Sequence, residues 1–134
     1  MRSLTVDEAL CFGCRACSSV CPVSLIRLEE ADGLRSILFP SICDEECVRC
    51  QEACPQGAIA FEEVRRRREG VRLRFPLRRC ERCGQPFAPE ALLAALPARI
   101  EEVLTGQETL WLGLCLDCRR EQAAAGLLER AEGL

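Results

Sequence analysis

Short stretches in which apolar and polar residues alternate recur through the N-terminal half of the chain. Four of them predict strands, at residues 3–6, 23–29, 35–39 and 56–63, and Asp32-Gly33 predicts a turn in the middle. A loop and a short helix fit between the first and second strands, and again between the third and fourth. The pattern therefore predicts two copies of one unit: strand, loop, short helix and strand.

The pattern changes after residue 63. Glu69-Gly70 predicts a turn, and a short alternating strand follows it and ends near Pro76. Residues 65–82 carry 9 arginines and 2 acidic residues, although the net charge of the whole chain is −3. We therefore expect a basic linker or β-hairpin at residues 65–79, between an N-terminal domain at 1–64 and a C-terminal module at 80–134.

The C-terminal module carries apolar residues at helical spacing. Pro89 opens one such pattern, and Pro97 opens a second that passes Leu104 and stops at Gly106. A last amphipathic helix is predicted over about residues 119–130. This part of the chain is therefore expected to be partly helical.

The 12 cysteines of this 134-residue chain indicate either a disulfide scaffold or metal sites. The first residues lack the apolar segment and cleavage site of a secretory signal, so we expect reduced thiols in a cytoplasm. The sequence contains no run of about 18 apolar residues, so it predicts no membrane span. Association with a membrane complex stays open. Metal sites are the favoured interpretation.

The residue types that the chain lacks exclude most enzyme classes. There is no histidine, so Ser-His and Cys-His nucleophile pairs are absent and any metal must be bound by thiolates. There is no lysine, which excludes Schiff-base chemistry and a Walker phosphate site. We therefore predict no catalytic residues.

The cysteines of the N-terminal half form a repeat. Residues 11–22 read C-x2-C-x2-C-x3-C-P, and residues 43–55 repeat this run with C-x3-C at its start. In such a run three close cysteines bind one iron–sulfur cluster and the fourth reaches a second cluster. Disulfides or zinc are the alternatives, but the first needs an oxidising compartment and the second does not call for a repeated final proline.

With this motif the chain resembles the bacterial two-cluster ferredoxins over about residues 1–64. The resemblance implies a pseudo-twofold α+β domain that holds two 4Fe-4S clusters. Because the middle cysteines Cys14 and Cys47 are both present, three-iron clusters are not expected. The implied ligands are Cys11, Cys14, Cys17 and Cys54 for one cluster and Cys21, Cys43, Cys47 and Cys50 for the other.

Two further C-x2-C pairs, Cys80 with Cys83 and Cys115 with Cys118, lie in the C-terminal module. Four thiolates suit tetrahedral zinc, with a single iron or free thiols as alternatives. We predict one structural zinc in a small zinc-ribbon-like module whose folding depends on the metal. With three filled sites of charge −2 each, the protein would carry a net charge of about −9.

Residues 80–120 resemble the extra cysteine segment of ferredoxin-like subunits in formate hydrogenlyase and related hydrogenase complexes. This resemblance implies a subunit of a larger oxidoreductase of the formate dehydrogenase or hydrogenase type.

The arginine run 65–68 is compatible with nucleic-acid binding or with protein docking. The acidity of the rest of the chain favours docking to an acidic partner protein over nucleic acid.

Two functions follow from the predicted sites. The first is an electron relay, in which the two clusters pass single electrons between redox partner proteins. The second is a regulatory or assembly protein whose clusters sense redox state or oxygen. Reversible cluster couples would favour the relay, whereas clusters lost on oxidation would favour the sensor.

Overall fold

The computed structural model describes residues 1–103 and 110–133, which form a mixed α+β fold with antiparallel sheets. The chain divides into two compact units, Met1–Pro76 and Leu77–Leu134. The elements in chain order are β1 (Arg2–Val6), α1 (Ala16–Val20), β2 (Arg27–Ala31), β3 (Leu34–Phe39), α2 (Arg49–Ala53), β4 (Ile59–Glu63), β5 (Val71–Arg79), β6 (Pro86–Pro89), α3 (Glu90–Val103), a 3-10 turn (Leu110–Gly113) and α4 (Leu116–Glu132).

The first unit contains the predicted repeat of strand, loop, short helix and strand. β1 pairs antiparallel with β4, and β2 pairs antiparallel with β3. The predicted turn joins β2 to β3, and both its residues have positive φ, 54° at Asp32 and 74° at Gly33. Two such residues in succession are typical of the turn that matches the twist of a two-stranded hairpin. Residues 71–76 of β5 add a third strand beside β3.

The second and fourth strands begin later than the sequence predicts, at Arg27 and at Ile59. Residues 23–26 do not extend the strand, because Ser24 has a φ of 54° and the backbone N–H of Leu25 donates to the Cys21 sulfur at 3.3 Å. The alternation starting at Val23 therefore belongs to a turn around that sulfur. β2 itself occupies Arg27–Ala31.

The core of the first unit follows from the two-residue period of its strands. On β3, Ile37 and Phe39 point inwards and are 1% and 4% exposed, and Leu73 and Phe75 of β5 lie against them in the same cluster. The buried thiols Cys17 and Cys50, from α1 and α2, belong to this cluster too. The core is small, and cysteine side chains supply part of it.

Among the described residues of the second unit, the segment around Pro97 is one longer helix where two were predicted. A single helix, α3, runs through Pro97 instead of restarting there. A proline inside a helix removes one backbone hydrogen bond and strains the preceding turn, but does not always end the helix. The predicted end of this segment, at Leu104 to Gly106, lies outside the described residues. α4 begins at Leu116, three residues earlier than predicted.

Replacement of Ile37 by alanine tests the core of the first unit. We expect the free energy of unfolding to fall by about 2–5 kcal/mol, because a fully buried side chain leaves a cavity behind. Leu34→Ala, on the same strand but 37% exposed, is the matched control and should cost much less. Denaturant titration of anaerobically prepared protein measures both, and equal losses would contradict this arrangement of the core.

Candidate metal centres

Strand pairing brings the fourth cysteine of each repeat to the loop of the other. Val6, at the end of β1, pairs with Ile59, at the start of β4, so Cys54 lies beside the loop that contains Cys11. In the same way, Arg27 at the start of β2 pairs with Leu38 near the end of β3. This second pairing brings the chain after Cys21 next to the chain before Cys43.

The first of these pairings forms a small cavity in the first unit. Sulfur is the only metal-binding atom type among the side chains that line it, and the rest of its wall is mostly apolar, including Phe12, Ile37 and Phe39. Soft thiolates are the ligands that iron–sulfur clusters require. The cysteines that line this cavity are Cys11, Cys14, Cys17 and Cys54.

The second cavity has a similar apolar wall, with Leu4, Ile26 and Pro40 among its residues. Glu45 is the one acidic residue that lines it. The cysteines that line this cavity are Cys21, Cys43, Cys47 and Cys50. The structure therefore brings together the same two groups of four that the resemblance implied, and cluster ligation by them stays a prediction.

The last cysteine of each repeat accepts a backbone hydrogen bond at its sulfur. Leu25 N–H donates to Cys21 Sγ at 3.3 Å, and Ala58 N–H donates to Cys54 Sγ at 3.4 Å. Both donors lie four residues after their cysteine, so the two repeats are equivalent here. Hydrogen bonds of this kind stabilise a thiolate and raise the potential of a bound cluster.

Burial and backbone hydrogen bonds shift the pKa values of several thiols in the two cavities in opposite directions. Burial raises the pKa of Cys17 to about 12 and raises the pKa values of Cys11 and Cys50 above their usual range. Burial also acts to raise the pKa of Cys21, but backbone N–H groups of residues 23–26 outweigh it and lower that pKa. Metal ligation at the buried thiols must therefore release protons.

The first cysteine loop leaves little space for larger residues. Gly13 has a φ of 78°, and a Cβ atom there would lie 2.8 Å from the Phe75 ring. Its carbonyl accepts a hydrogen bond of 2.8 Å from Arg35, whose side chain is buried inside the unit. Glycine is required at this position both for the left-handed backbone and for the close approach of Phe75.

The four C-terminal cysteines come together in the second unit, and their sulfur atoms all lie within 4.8 Å of one another. Cys83 Sγ is 3.7 Å from Cys115 Sγ. Sulfur atoms around a tetrahedral metal with bonds of about 2.3 Å lie about 3.8 Å apart, so the spacing fits such a metal. The four residues are Cys80, Cys83, Cys115 and Cys118.

Local backbone structure presents these sulfurs on both sides of the site. Cys80 and Cys83 lie in a tight turn after β5, where Gly84 N–H donates to the Cys80 carbonyl at 2.9 Å. Cys115 is the residue before α4, and Cys118 lies in the first turn of that helix. Hydrogen bonds from the N–H groups of Cys83 and Cys115 lower the pKa of Cys80 to about 6. A thiolate at Cys80 is therefore available at neutral pH.

Sequence reasoning missed two arginines that contact the cysteine loops, Arg2 and Arg35. Arg35 carried a usable signal, because it occupies an inward position on a strand whose other inward residues are apolar. Arg2 carried none: its contacts are with residues 43–47, more than forty positions away in the chain. The backbone N–H donors to Cys21 and Cys54 were not predicted either.

Known proteins that bind iron–sulfur clusters are similar in sequence to the first unit. A family model described as a 4Fe-4S binding domain matches residues 4–27. A ferredoxin of Thermococcus litoralis is 37% identical over 60 residues, which make up 44% of this chain and 97% of that protein.

Two longer relatives come from Methanothermobacter marburgensis. A polyferredoxin protein is 30% identical over 84 residues, which cover 60% of this chain but 19% of the relative. One subunit of an H2:CoB-CoM heterodisulfide, ferredoxin reductase is 32% identical over 72 residues, which cover 43% of this chain and 11% of the relative. This chain thus corresponds to a small part of these longer proteins.

Within residues 1–103 and 110–133, no helix has both the length and the apolar character needed to cross a membrane.

The exchange of cysteines between repeats can be tested with four variants. Cys54→Ala should lose the same paramagnetic signal as Cys14→Ala, because both would remove a ligand from the first cavity. Cys21→Ala should lose the same signal as Cys47→Ala, by the same argument for the second cavity. Electron paramagnetic resonance of the reduced proteins measures this. If Cys54→Ala resembles Cys47→Ala instead, the ligand groups are wrong.

Proposed function

Because the chain belongs to the ferredoxin family, we propose that it relays single electrons through two 4Fe-4S clusters. The observation that carries the proposal is the pair of cavities in the first unit, each lined by four cysteines drawn from both repeats. Each bound cluster would supply a one-electron couple, whose potential depends on the surrounding protein. We propose no substrate site and no catalytic residue in this chain.

The residues around the cavities would bind the two clusters, keep water away from them and adjust their reduction potentials. The eight thiolates would bind iron, and apolar walls such as Phe12, Phe39 and Ile59 would keep water away from the bound groups. The N–H donors of Leu25 and Ala58 would offset part of the negative charge on sulfur. Exclusion of water and hydrogen bonding to sulfur are the means by which a protein adjusts a cluster potential.

We further propose that the chain works as part of a larger oxidoreductase, of the formate dehydrogenase or hydrogenase type that the C-terminal segment resembles. The polyferredoxin and the reductase component among its relatives support an oxidoreductase partner.

The basic run 65–68 is the proposed docking surface. All four arginines are exposed, and Arg68 forms an ion pair with Glu62 while the other three have no carboxylate partner among the described residues. An acidic protein surface would complement them.

For the four cysteines of the second unit we propose one structural zinc, bound by Cys80, Cys83, Cys115 and Cys118. Support comes from the close approach of the four sulfurs and from an all-thiolate donor set. Iron would fit the same distances, so redox behaviour must distinguish the two metals. A reducing, cytoplasmic location is part of the proposal, and all 12 cysteines are free thiols here.

The relay function predicts metal content and electrochemistry. Anaerobically prepared protein should contain about eight iron and eight sulfide per chain, as two 4Fe-4S clusters require. Voltammetry should show two reversible one-electron couples at low potential. Clusters that are lost on mild oxidation, together with a gain in partner or nucleic-acid binding, would support a redox or oxygen sensor and overturn the relay.

Replacement of Cys83 by serine tests the proposed zinc. We expect the variant to lose its zinc and the folded structure of the second unit, because metal binding and folding of such a site are one event. Both cluster signals should remain in this variant. Cys14→Ala serves as the control, because it should lose one cluster signal and keep the zinc and the folded second unit. Elemental analysis, circular dichroism and voltammetry measure these outcomes. Loss of a reversible couple with both cluster signals intact would show that the site holds iron.

A further inference from the structure

Arg2 is bound to the second cysteine loop through its backbone. The N–H of Cys43 donates to the Arg2 carbonyl at 3.0 Å, and the N–H of Arg2 donates to the Asp44 carboxylate at 2.9 Å. The start of β1 is therefore attached to residues 43 and 44. This is the loop in which the second repeat has one more residue than the first.

The side chain of Arg2 reaches across the same loop. Nε donates to the Cys43 carbonyl at 2.8 Å, and Nη2 donates to the Cys47 carbonyl at 2.7 Å. The longer loop also closes on itself, because Cys47 N–H donates to the Glu45 carbonyl at 2.7 Å. One rigid guanidinium thus holds the carbonyls at both ends of the loop that contains the extra residue. A planar fork of donors is suited to bind two carbonyls in this way.

The same guanidinium lies against a cysteine sulfur. Nη2 is 3.8 Å from Cys43 Sγ, and the guanidinium carbon lies 4.0 Å from the centre of the Phe61 ring. Phe61 and the loop cover the group on two sides, so its charge is only partly exposed to water. A partly desolvated positive charge interacts with a nearby anion more strongly than one in bulk water.

Within the described part of the chain the guanidinium of Arg2 forms no ion pair, and the Asp44 carboxylate accepts from the Arg2 backbone N–H instead. Arg35, which contacts the first loop at Gly13, is different: its guanidinium is paired with Glu30 at 2.8 Å. Each cysteine loop is therefore held by one arginine, and the arginine of the second loop lies next to a sulfur without a carboxylate partner among the described residues.

We propose that Arg2 is a positioning residue that holds loop 43–47 and selectively raises the reduction potential of the cluster bound at Cys21, Cys43, Cys47 and Cys50. This inference rests on the proposed cluster sites. Reduction adds a negative charge to a site that is already anionic, and a nearby cation stabilises the reduced form. The contact of Arg2 Nη2 with Cys43 Sγ would also raise the reduction potential. The two clusters would thus be tuned separately, by one residue outside the cysteine motif.

Arg2→Gln is the direct test. The couple of the second cluster should fall by about 59 mV, which corresponds to a tenfold change in a one-electron equilibrium, while the couple of the first cluster stays unchanged. Each couple is assigned by the signal that Cys14→Ala or Cys47→Ala removes. Arg2→Lys keeps the charge but not the fork, so its shift should be smaller.

Arg49→Gln is the matched control, because Arg49 is an exposed arginine between two cysteines of the same loop region. Water screens its charge, so its removal should leave both potentials nearly unchanged. If Arg2→Gln retains both clusters and neither potential moves, or if Arg49→Gln causes an equal shift, the proposal is overturned.

Cluster retention gives a second measurement, in case Arg2→Gln alters the loop too strongly. Loss of the second cluster alone, with retention in Arg2→Lys, would support the positioning role, whereas loss of both clusters would overturn it. A wild-type protein without two reversible couples would instead disprove the proposed function itself.

Discussion

The antiparallel pairing of strands from opposite halves of the repeat is the constraint on which the first unit depends. Each cysteine loop follows one strand and precedes another, so pairing β1 with β4 and β2 with β3 brings each fourth cysteine to the opposite loop. Neither repeat alone could line a cavity with four sulfurs. The pairing therefore forms the fold and both candidate sites at once, and a loss of register would affect all three.

The small size of both units explains why cysteines occupy the core. Domains this short bury comparatively little apolar surface and are only marginally stable by packing alone, so a bound metal can add much to their stability. In the first unit the buried thiols Cys17 and Cys50 pack among aliphatic and aromatic side chains. In the second unit four sulfurs converge between a tight turn and the start of α4. Folding and metal binding are thus expected to be closely coupled in both units.

Two groups of arginines differ in their surroundings. The chain is acidic overall, and filled metal sites would make it more so. Some of its arginines are exposed in the run 65–68, and two others, Arg2 and Arg35, are directed at the backbone of the cysteine loops. The first group is suited to attract an acidic partner. The second places positive charge where thiolates and bound clusters would concentrate negative charge.

The sequence by itself determined the cysteine motifs, the strands of the repeat and the all-thiolate chemistry, because these depend on residues a few positions apart. The composition of the two four-cysteine groups in the first unit was available only through resemblance, since it needs contacts between the two repeats. The tertiary structure alone decided the contacts of Arg2, the turn that delays β2 and the passage of α3 through Pro97. Local spacing carries no information on such contacts, because packing between distant segments outweighs the local preferences from which sequence patterns are read.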